Sequence, residues 1–333
     1  MYRVLQDDLY NKMRKELLKE EIRDYTVSTD MTICDLLEAW SKAYGFMPSH
    51  VYRASRIIYE MVKSGDTVKV LAFTGNLVAT GLRGVLAQVI REGFFDVVIT
   101  TCGTVDHDIA RGTGNKYYAG EWLLDDAALN DLRIHRLGNI LIPVESYGVA
   151  IEKFAQNLLD DLVSKKKEWA PSDILYEAGK RLSDPNSILR ACYEKKVPVF
   201  APGIFDGAFG TQLVLHSQFS GLKVDLISDE KKLLDLVFKS EKMGALIVGG
   251  GISKHHTIWF AQFKEGLDYA VYVTTAVEYD GSLSGAHPRE AISWGKIKPR
   301  ARQVVVYGDA TIALPLIVAG TKCLLEGSIE DRH

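Results

Sequence analysis

Apolar residues recur at helical spacing through the first part of the chain and then change rhythm. Leu5, Leu9, Met13 and Leu17 form one stripe in the charged stretch 5–22, which predicts a helix with a thin apolar seam. A second helix is predicted over 32–44, with Leu36, Leu37, Trp40 and Tyr44 on one side. A third is predicted over 49–64, with Val51, Ile57, Ile58 and Met61, closed by Gly65 and Asp66. From residue 67 short β-branched runs alternate with helical stretches. Strands are predicted at 68–73, 96–101, 140–143, 197–202, 224–227, 245–248, 269–275 and 304–307. Helices are predicted at 82–91, 150–165, 173–182, 187–195, 230–243, 255–266 and 310–325. Strand, turn, helix and strand in that order imply parallel pairing through right-handed crossovers. The expected fold is α/β, with a doubly wound, mostly parallel, Rossmann-like sheet over 67–333 and a helical N-terminal extension over 1–66.

Composition narrows the class. With 47% hydrophobic and 25% charged residues, the 333-residue chain reads as globular, and no uncharged run reaches the length of a membrane span. Asp7 and Asp8 fall where a signal peptide needs an apolar core, so the expected location is cytoplasmic. A formal net charge of -3 argues against a nucleic-acid surface. Cys34, Cys102, Cys192 and Cys323 are far apart and form no C-x-x-C, which predicts reduced thiols. Cys102 reads as a small buried residue rather than a nucleophile, and no metal-ligand spacing is present.

Candidate chemistry concentrates where strands end. The segment 280–296, D-G-S-L-S-G-A-H-P-R-E-A-I-S-W-G-K, follows the apolar run 269–275 and is expected at the carboxyl end of a strand, where open α/β sheets bind ligands. It ends on Lys296, beside Trp294. A lysine is nucleophilic only when neutral, and packing on an indole disfavours the ammonium form. Such a lysine attacks imine or carbonyl carbons. On chemistry alone, a surface lysine opening a polar turn is the simpler account. The turn T-G-N-L-V-A-T-G at 74–81 offers free backbone N–H groups to a pyrophosphate, although a glycine-assisted β–α turn explains it equally. In T-T-C-G-T-V-D-H-D, 100–108, two carboxylates flank a histidine, which suits cation binding or proton transfer.

The stretch 290–296, E-A-I-S-W-G-K, resembles the E-A-x-S-W-G-K signature of the deoxyhypusine synthase family, which holds the lysine of an enzyme–imine intermediate. Further blocks in the same order extend the resemblance over about 23–325: 74–81; 100–108; F-D-G-A-F-G-T at 205–211; G-G-G-I-S-K-H-H at 249–256; T-A-V-E-Y-D-G-S-L-S-G at 275–285; and Y-G-D-A at 307–310. The resemblance implies Lys296 as nucleophile and His255 as general base. For NAD it implies Gly75, Asn76, Leu77, Val78, Ala79, Thr101, Cys102, Gly103, Asp206, Gly250, Thr275, Ala276, Asp280, Asp309 and Ala310. For the amine it implies Asp106, His107, Thr211, Gly281, Ser282, Leu283, Glu290 and Trp294. His107, Thr211 and Leu283 depart from the family, which has acids there; Asp106, Asp108 and Glu290 remain as acids that could compensate.

What the resemblance implies for function is NAD-dependent transfer of the aminobutyl group of spermidine to a lysine of the translation factor 5A precursor, in a homotetramer with sites at a dimer interface. Two other readings follow from the departures. One keeps the chemistry with another amine, such as agmatine or putrescine, as in homospermidine synthesis. The other is a catalytically idle NAD-binding paralogue that regulates a partner subunit.

Overall fold

The computed structural model describes residues 2–329, with side chains from residue 9 onward. Three helices come first: α1 (Tyr2–Leu17), α2 (Ile33–Ala43) and α3 (Phe46–Lys63). Strand β1 (Thr67–Phe73) leads through the single turn α4 (Asn76–Ala79) to α5 (Leu82–Arg91), β2 (Val97–Ile99) and α6 (Cys102–Gly112). Next come β3 (Tyr118–Ala119), α7 (Asp126–Asp131), β4 (Ile134–Leu137) and β5 (Ile140–Pro143). Helix α8 (Gly148–Lys165), β6 (Glu168–Trp169), α9 (Pro171–Arg181) and α10 (Ile188–Lys195) precede β7 (Val199–Phe200). Helix α11 (Ala208–Ser220), β8 (Lys223–Val224) and α12 (Leu226–Lys239) precede β9 (Lys242–Val248). The chain closes with α13 (Gly251–Ala261), β10 (Leu267–Thr274), α14 (Pro288–Ser293), β11 (Ile297–Tyr307) and α15 (Ala310–Leu325).

The main sheet has six strands in the order β11-β10-β9-β1-β2-β7, and every neighbouring pair is parallel. The chain starts at the centre, moves outward to β2 and β7, and returns to the other side of β1 with β9. That reversal makes β1 and β9 a topological switch point, where a crevice opens beyond the carboxyl ends of the strands. Both faces are covered, so the strands are apolar on both sides. Leu71 and Phe73 of β1 face one core, which also holds Ile57, Ile58 and Met61 of α3 and Leu314 and Ile317 of α15. Val68, Val70 and Ala72 face the other, with Leu233 of α12 and Ile258 of α13. Helix α3 therefore packs on the sheet itself, α2 packs on α3 and α15, and residue 66 falls in the turn before β1.

Most of the predicted elements form, and the departures have local causes. Helix α1 stops at Leu17, and Leu9, Met13 and Leu17 are exposed; the side chain of Leu5 lies outside the described residues. The strand predicted at 140–143 forms, but in a separate antiparallel sheet of order β3-β5-β4. The one predicted at 224–227 is cut short because Asp225 accepts a hydrogen bond from the Ser228 amide (3.0 Å) and so starts α12 at Leu226. Helix α11 had no prediction: Phe209 and Leu213 are buried while Val214, Leu215 and Phe219 are exposed, so no clean apolar stripe marks it.

The cysteine reading is corrected. Cys34 of α2 and Cys323 of α15 form a disulfide, with Cα atoms 5.9 Å apart across a sequence separation of 289. Helix packing brings the two together, which spacing along the chain does not reveal. Cys102 and Cys192 are free and buried. Among the described residues no helix is long and apolar enough to cross a membrane.

Candidate active site

Lys296 is fixed from both sides by its own backbone. Its amide donates to Ala291 O (2.9 Å) at the end of α14, and its carbonyl accepts from the Leu267 amide (3.1 Å) at the start of β10. This corrects one expectation. The segment 278–285 lies beyond the carboxyl end of β10, but Lys296 itself sits at the amino-terminal entry of β11, because α14 carries the chain back along the sheet. The side chain is only 8% exposed. Its Nζ lies 5.3 Å from the ring centroid of Trp294 and 5.5 Å from that of Trp259.

Helix α13 brings a second set of groups to the same pocket, a cavity of about 200 Å³. His255 lies against Trp259, with ring centroids 5.7 Å apart. Burial, and then the charge of Lys296, hold the His255 imidazole below its usual range, so near neutral pH it is free to accept a proton. Lys254 points deeper: it donates to Ala286 O (2.8 Å), lies 4.3 Å from the Tyr272 ring, and is pushed down to about 8 by burial, against the opposing charge of Glu290. The Tyr272 hydroxyl, buried in the same wall, has no hydrogen-bond partner among the described residues. Leu283 and His287 complete the lining, and Glu290 is its single carboxylate among the described residues. A near-neutral imidazole, two shielded amines and one acid can bind an amine, move a proton and present a nucleophile.

A larger cleft of about 650 Å³ lies at the switch point, beyond the carboxyl ends of β1, β9, β10 and β11. Thr74, Asn76 and Leu77 line it from β1 and α4, Gly249 from β9, Thr275 from β10, and Gly308, Asp309 and Ala310 from β11 and α15. The sixteen-residue helix α15 opens onto it, capped by Asp309, whose Oδ1 accepts from the Thr311 amide (2.7 Å). Asp309 also accepts through its carbonyl from the amides of Ile312 (3.1 Å) and Ala313 (2.9 Å), so what the helix start offers a phosphate is chiefly its macrodipole. The space beside Gly308 is open, with nothing within 4 Å of where a Cβ would stand. The opposite wall is the small sheet, through Trp122, Leu137 and the Gly138–Asn139 turn. A cleft of this volume with a helix N-terminus, an acid, an amide and hydroxyl side chains fits a dinucleotide.

Two glycines set the walls. A Cβ at Gly75 would come within 2.6 Å of the Gly103 carbonyl carbon, so only glycine lets the turn after β1 close onto the turn after β2. A Cβ at Gly250 would collide with Ser284, whose Oγ accepts from the Gly251 amide (3.2 Å). The turn after β9 thereby locks to the loop after β10.

The structure therefore divides the expected site residues. Asn76, Leu77, Thr275, Asp309 and Ala310 meet in the cleft, and His255, Leu283, Glu290, Trp294 and Lys296 meet in the lysine pocket. The two cavities share no lining residue. Gly75, Thr101, Cys102, Gly103 and Gly250 line neither cavity; Val78 and Ala79 are buried residues of α4, with Val78 O accepting from Arg111 (2.9 Å). The Ala276 amide donates to Thr274 Oγ1 (3.1 Å). Asp280 is exposed and accepts from the Ser282 amide (2.6 Å), and Asp206, Gly281 and Ser282 are exposed as well.

The D-H-D triplet is elsewhere and has other work. Asp106, 1% exposed, accepts from the amides of Ala208 (2.9 Å) and Phe209 (2.7 Å) and from the Tyr147 hydroxyl (2.9 Å), and so caps α11. Asp108 accepts from Arg83 (2.6 Å), the Ser187 hydroxyl (2.8 Å) and the amides of Ile188 (3.1 Å) and Leu189 (2.8 Å), and so caps α10. This corrects the reading of both as spare acids for an ammonium, since helix N-termini already saturate them. His107 shares a hydrogen bond with the Tyr117 hydroxyl (2.9 Å), and burial, then Arg111, hold it at about 4, so it is neutral at physiological pH. Thr211 Oγ1 donates to Gly207 O (2.9 Å) at the start of α11.

Sequence reasoning missed Trp259, Tyr272 and the hairpin wall. Trp259 follows His255 by one helical turn, a spacing that places both on one face. The hairpin had a two-residue signal, Gly138–Asn139, between the short runs I-H-R-L and I-L-I-P.

Comparisons with known proteins give the family and the fold. The model of the deoxyhypusine synthase family matches residues 35–321. The chain is similar to a probable deoxyhypusine synthase of Sulfurisphaera tokodaii, 57% identical over 306 residues, covering 92% of this chain and 98% of that one. It is 48% identical over 307 residues to a probable deoxyhypusine synthase of Thermoplasma acidophilum, with 92% and 98% covered. A crystal structure of a candidate deoxyhypusine synthase from Entamoeba histolytica shares the fold, with a TM-score of 0.64 at 22% identity over 91% of this chain and 97% of that one.

Proposed function

The chain belongs to the deoxyhypusine synthase family, and from that premise we propose that Lys296 carries the aminobutyl group of spermidine to a lysine of the translation factor 5A precursor. It is a transferase. NAD, the cofactor of the family, supplies when bound the hydride acceptor that makes the donor an imine and later returns the hydride to the product. Asn76, Thr275 and Asp309 would hold it in the switch-point cleft, with its phosphates at the start of α15. Everything else falls to side chains of this chain. His255, neutral near pH 7, takes the proton released at the donor amine. Lys296 Nζ then bonds to the imine carbon, and the bond from that carbon to the departing nitrogen breaks. The proton shed by Lys296 leaves on 1,3-diaminopropane. The acceptor lysine displaces Lys296 by the same exchange, so neither exchange changes oxidation state. Glu290 holds an ammonium of the donor, and Trp294 walls off water.

The observation that supports this most is the placement of Lys296, 8% exposed between two indoles and in one cavity with His255 and Glu290. Borohydride reduction of protein incubated with NAD and radiolabelled spermidine is expected to leave a labelled four-carbon adduct on Lys296. Label absent from the Lys296 peptide would overturn the reading and favour the idle paralogue.

One observation favours a second donor. Leu283 enters the pocket where the family has an acid, and Glu290 is the lone carboxylate there among the described residues. A donor with fewer ammonium groups, such as putrescine or agmatine, would leave less charge unpaired. If competition assays show spermidine bound with ordinary affinity, this second reading fails.

The separation of lysine pocket and cleft supports a site shared between copies, in a cytoplasmic homotetramer. Co-expression of Lys296→Ala with Gly308→Trp, which fills the cleft, tests it. Each variant alone is expected to be inactive. The mixture should recover about a quarter of wild-type activity, because half the pairs are mixed and each of those keeps one intact site of two. A mixture as inactive as its parents would place both halves of the site in one chain.

A further inference from the structure

We propose that Trp259 is a positioning residue for the covalent step, forming with Trp294 a two-sided aromatic clamp on the nitrogen of Lys296. The proposal rests on the reading of Lys296 as the carrier of the transferred fragment. Nζ stands 5.5 Å from the centroid of one indole and 5.3 Å from that of the other, inside the range at which a cation is attracted to an aromatic face. Trp259 also lies against His255 at 5.7 Å with the rings inclined by 32°, so a single indole touches both the nucleophile and the base.

The position is not demanded by packing. On α13 the core is filled by Ile258, Phe260 and Ala261, all buried, whereas Trp259 is 44% exposed. Within the chain Trp259 therefore packs on the shielded amine and on His255 rather than into the core. Charge accounting makes the same point. When Lys296 Nζ bonds to the imine carbon and the departing amine takes away a proton, the new C=N nitrogen keeps one proton and a positive charge. That charge lasts until the acceptor lysine displaces it. Glu290 is the single carboxylate among the described lining residues and is also the group left to hold the donor's own ammonium. The two indole faces can hold the cationic adduct, as they hold the ammonium of the resting lysine, without a carboxylate that would tie Lys296 up as a salt bridge. His255, held against the same indole, stays aligned with the carbon that Lys296 attacks.

Trp259→Leu keeps apolar bulk and removes the aromatic face; Trp259→Phe keeps a face. Borohydride trapping with NAD and saturating spermidine is the readout, with thermal melting as a control for folding. Relative to wild type, Trp259→Leu is expected to trap about tenfold less adduct on Lys296, with KM for the amine within about threefold. Trp259→Phe is expected to recover most of the yield, and both variants should melt close to wild type. If wild type forms the adduct and Trp259→Leu forms as much, the clamp is overturned while the function stands. If Trp259→Phe falls as far as Trp259→Leu, the effect is one of shape and the clamp is likewise overturned. If wild type forms no adduct, the function and the clamp fall together.

Discussion

Lys296→Ala and Lys296→Arg are both expected to reduce aminobutyl transfer at least about a thousandfold, measured as release of 1,3-diaminopropane from saturating spermidine. Alanine deletes the nucleophile. Arginine keeps a cation between Trp259 and Trp294 but does not lose its proton in a protein, so it has no lone pair to offer the imine carbon. The arginine variant therefore separates two roles. A lysine that only balanced charge in the pocket would be replaced tolerably by arginine, and substantial activity in that variant would exclude covalent carriage. Folding should survive both changes. The Lys296 side chain makes no ion pair among the described residues, and the backbone bonds to Ala291 and Leu267 are indifferent to it. Unaltered melting with lost turnover is thus the expected pattern.

The fold was legible where one face of an element is apolar and its end is marked. Helix α5 spans 82–91 and α15 spans 310–325, as their patterns predict, because each begins at a strand-to-helix turn and buries a continuous face. Strands β1, β9 and β10 read as continuous apolar runs because the parallel sheet is covered on both sides. Helix α11 was not legible, since apolar residues surround its axis and the face that packs is decided by its neighbours. Nor was the disulfide, which depends on α2 meeting α15.

The site was legible by type more than by place. The block 290–296 identifies the lysine, but not that the chain doubles back through α14 to set its backbone at the amino-terminal entry of β11, from which the side chain reaches the pocket that Leu283 also lines. The D-H-D triplet shows the limit best. Two acids around a histidine look like a binding site for a cation, and nothing in the local pattern reveals that the N-termini of α10 and α11 come to rest on them. A carboxylate suits an ammonium and a helix start for the same reason, its capacity to accept several N–H bonds. Only the tertiary arrangement decides which donors arrive first.

That distinction yields the largest stability effect expected in the molecule. Asp108→Ala should lower the unfolding free energy by about 4 kcal/mol, from the cap it removes and the guanidinium it leaves without its main partner. Asp108 and Arg83 are buried, with side chains 0% and 3% exposed, and Arg83 would retain the carbonyl of residue 108 (3.4 Å) and, as its remaining carboxylate, Asp184, which is partly in solvent. Removing one member of a buried pair costs more than removing both, because the survivor keeps its desolvation penalty. Asp108→Leu combined with Arg83→Met should therefore lose less stability than the two single changes added together, as measured by denaturant unfolding. Asp108→Asn should fall between, keeping one acceptor oxygen but presenting N–H groups to the amides of Ile188 and Leu189. Because Asp108 is spent on α10, KM for the amine donor in the folded fraction should stay within about twofold of wild type. A large rise in KM at unchanged stability would mean that the carboxylate faces substrate instead, and that the capping bonds are dispensable. The opposite result would explain why this chain can carry His107, Thr211 and Leu283 without losing its fold: the acids of the triplet hold the scaffold, and the amine is recognised at the pocket of Lys296.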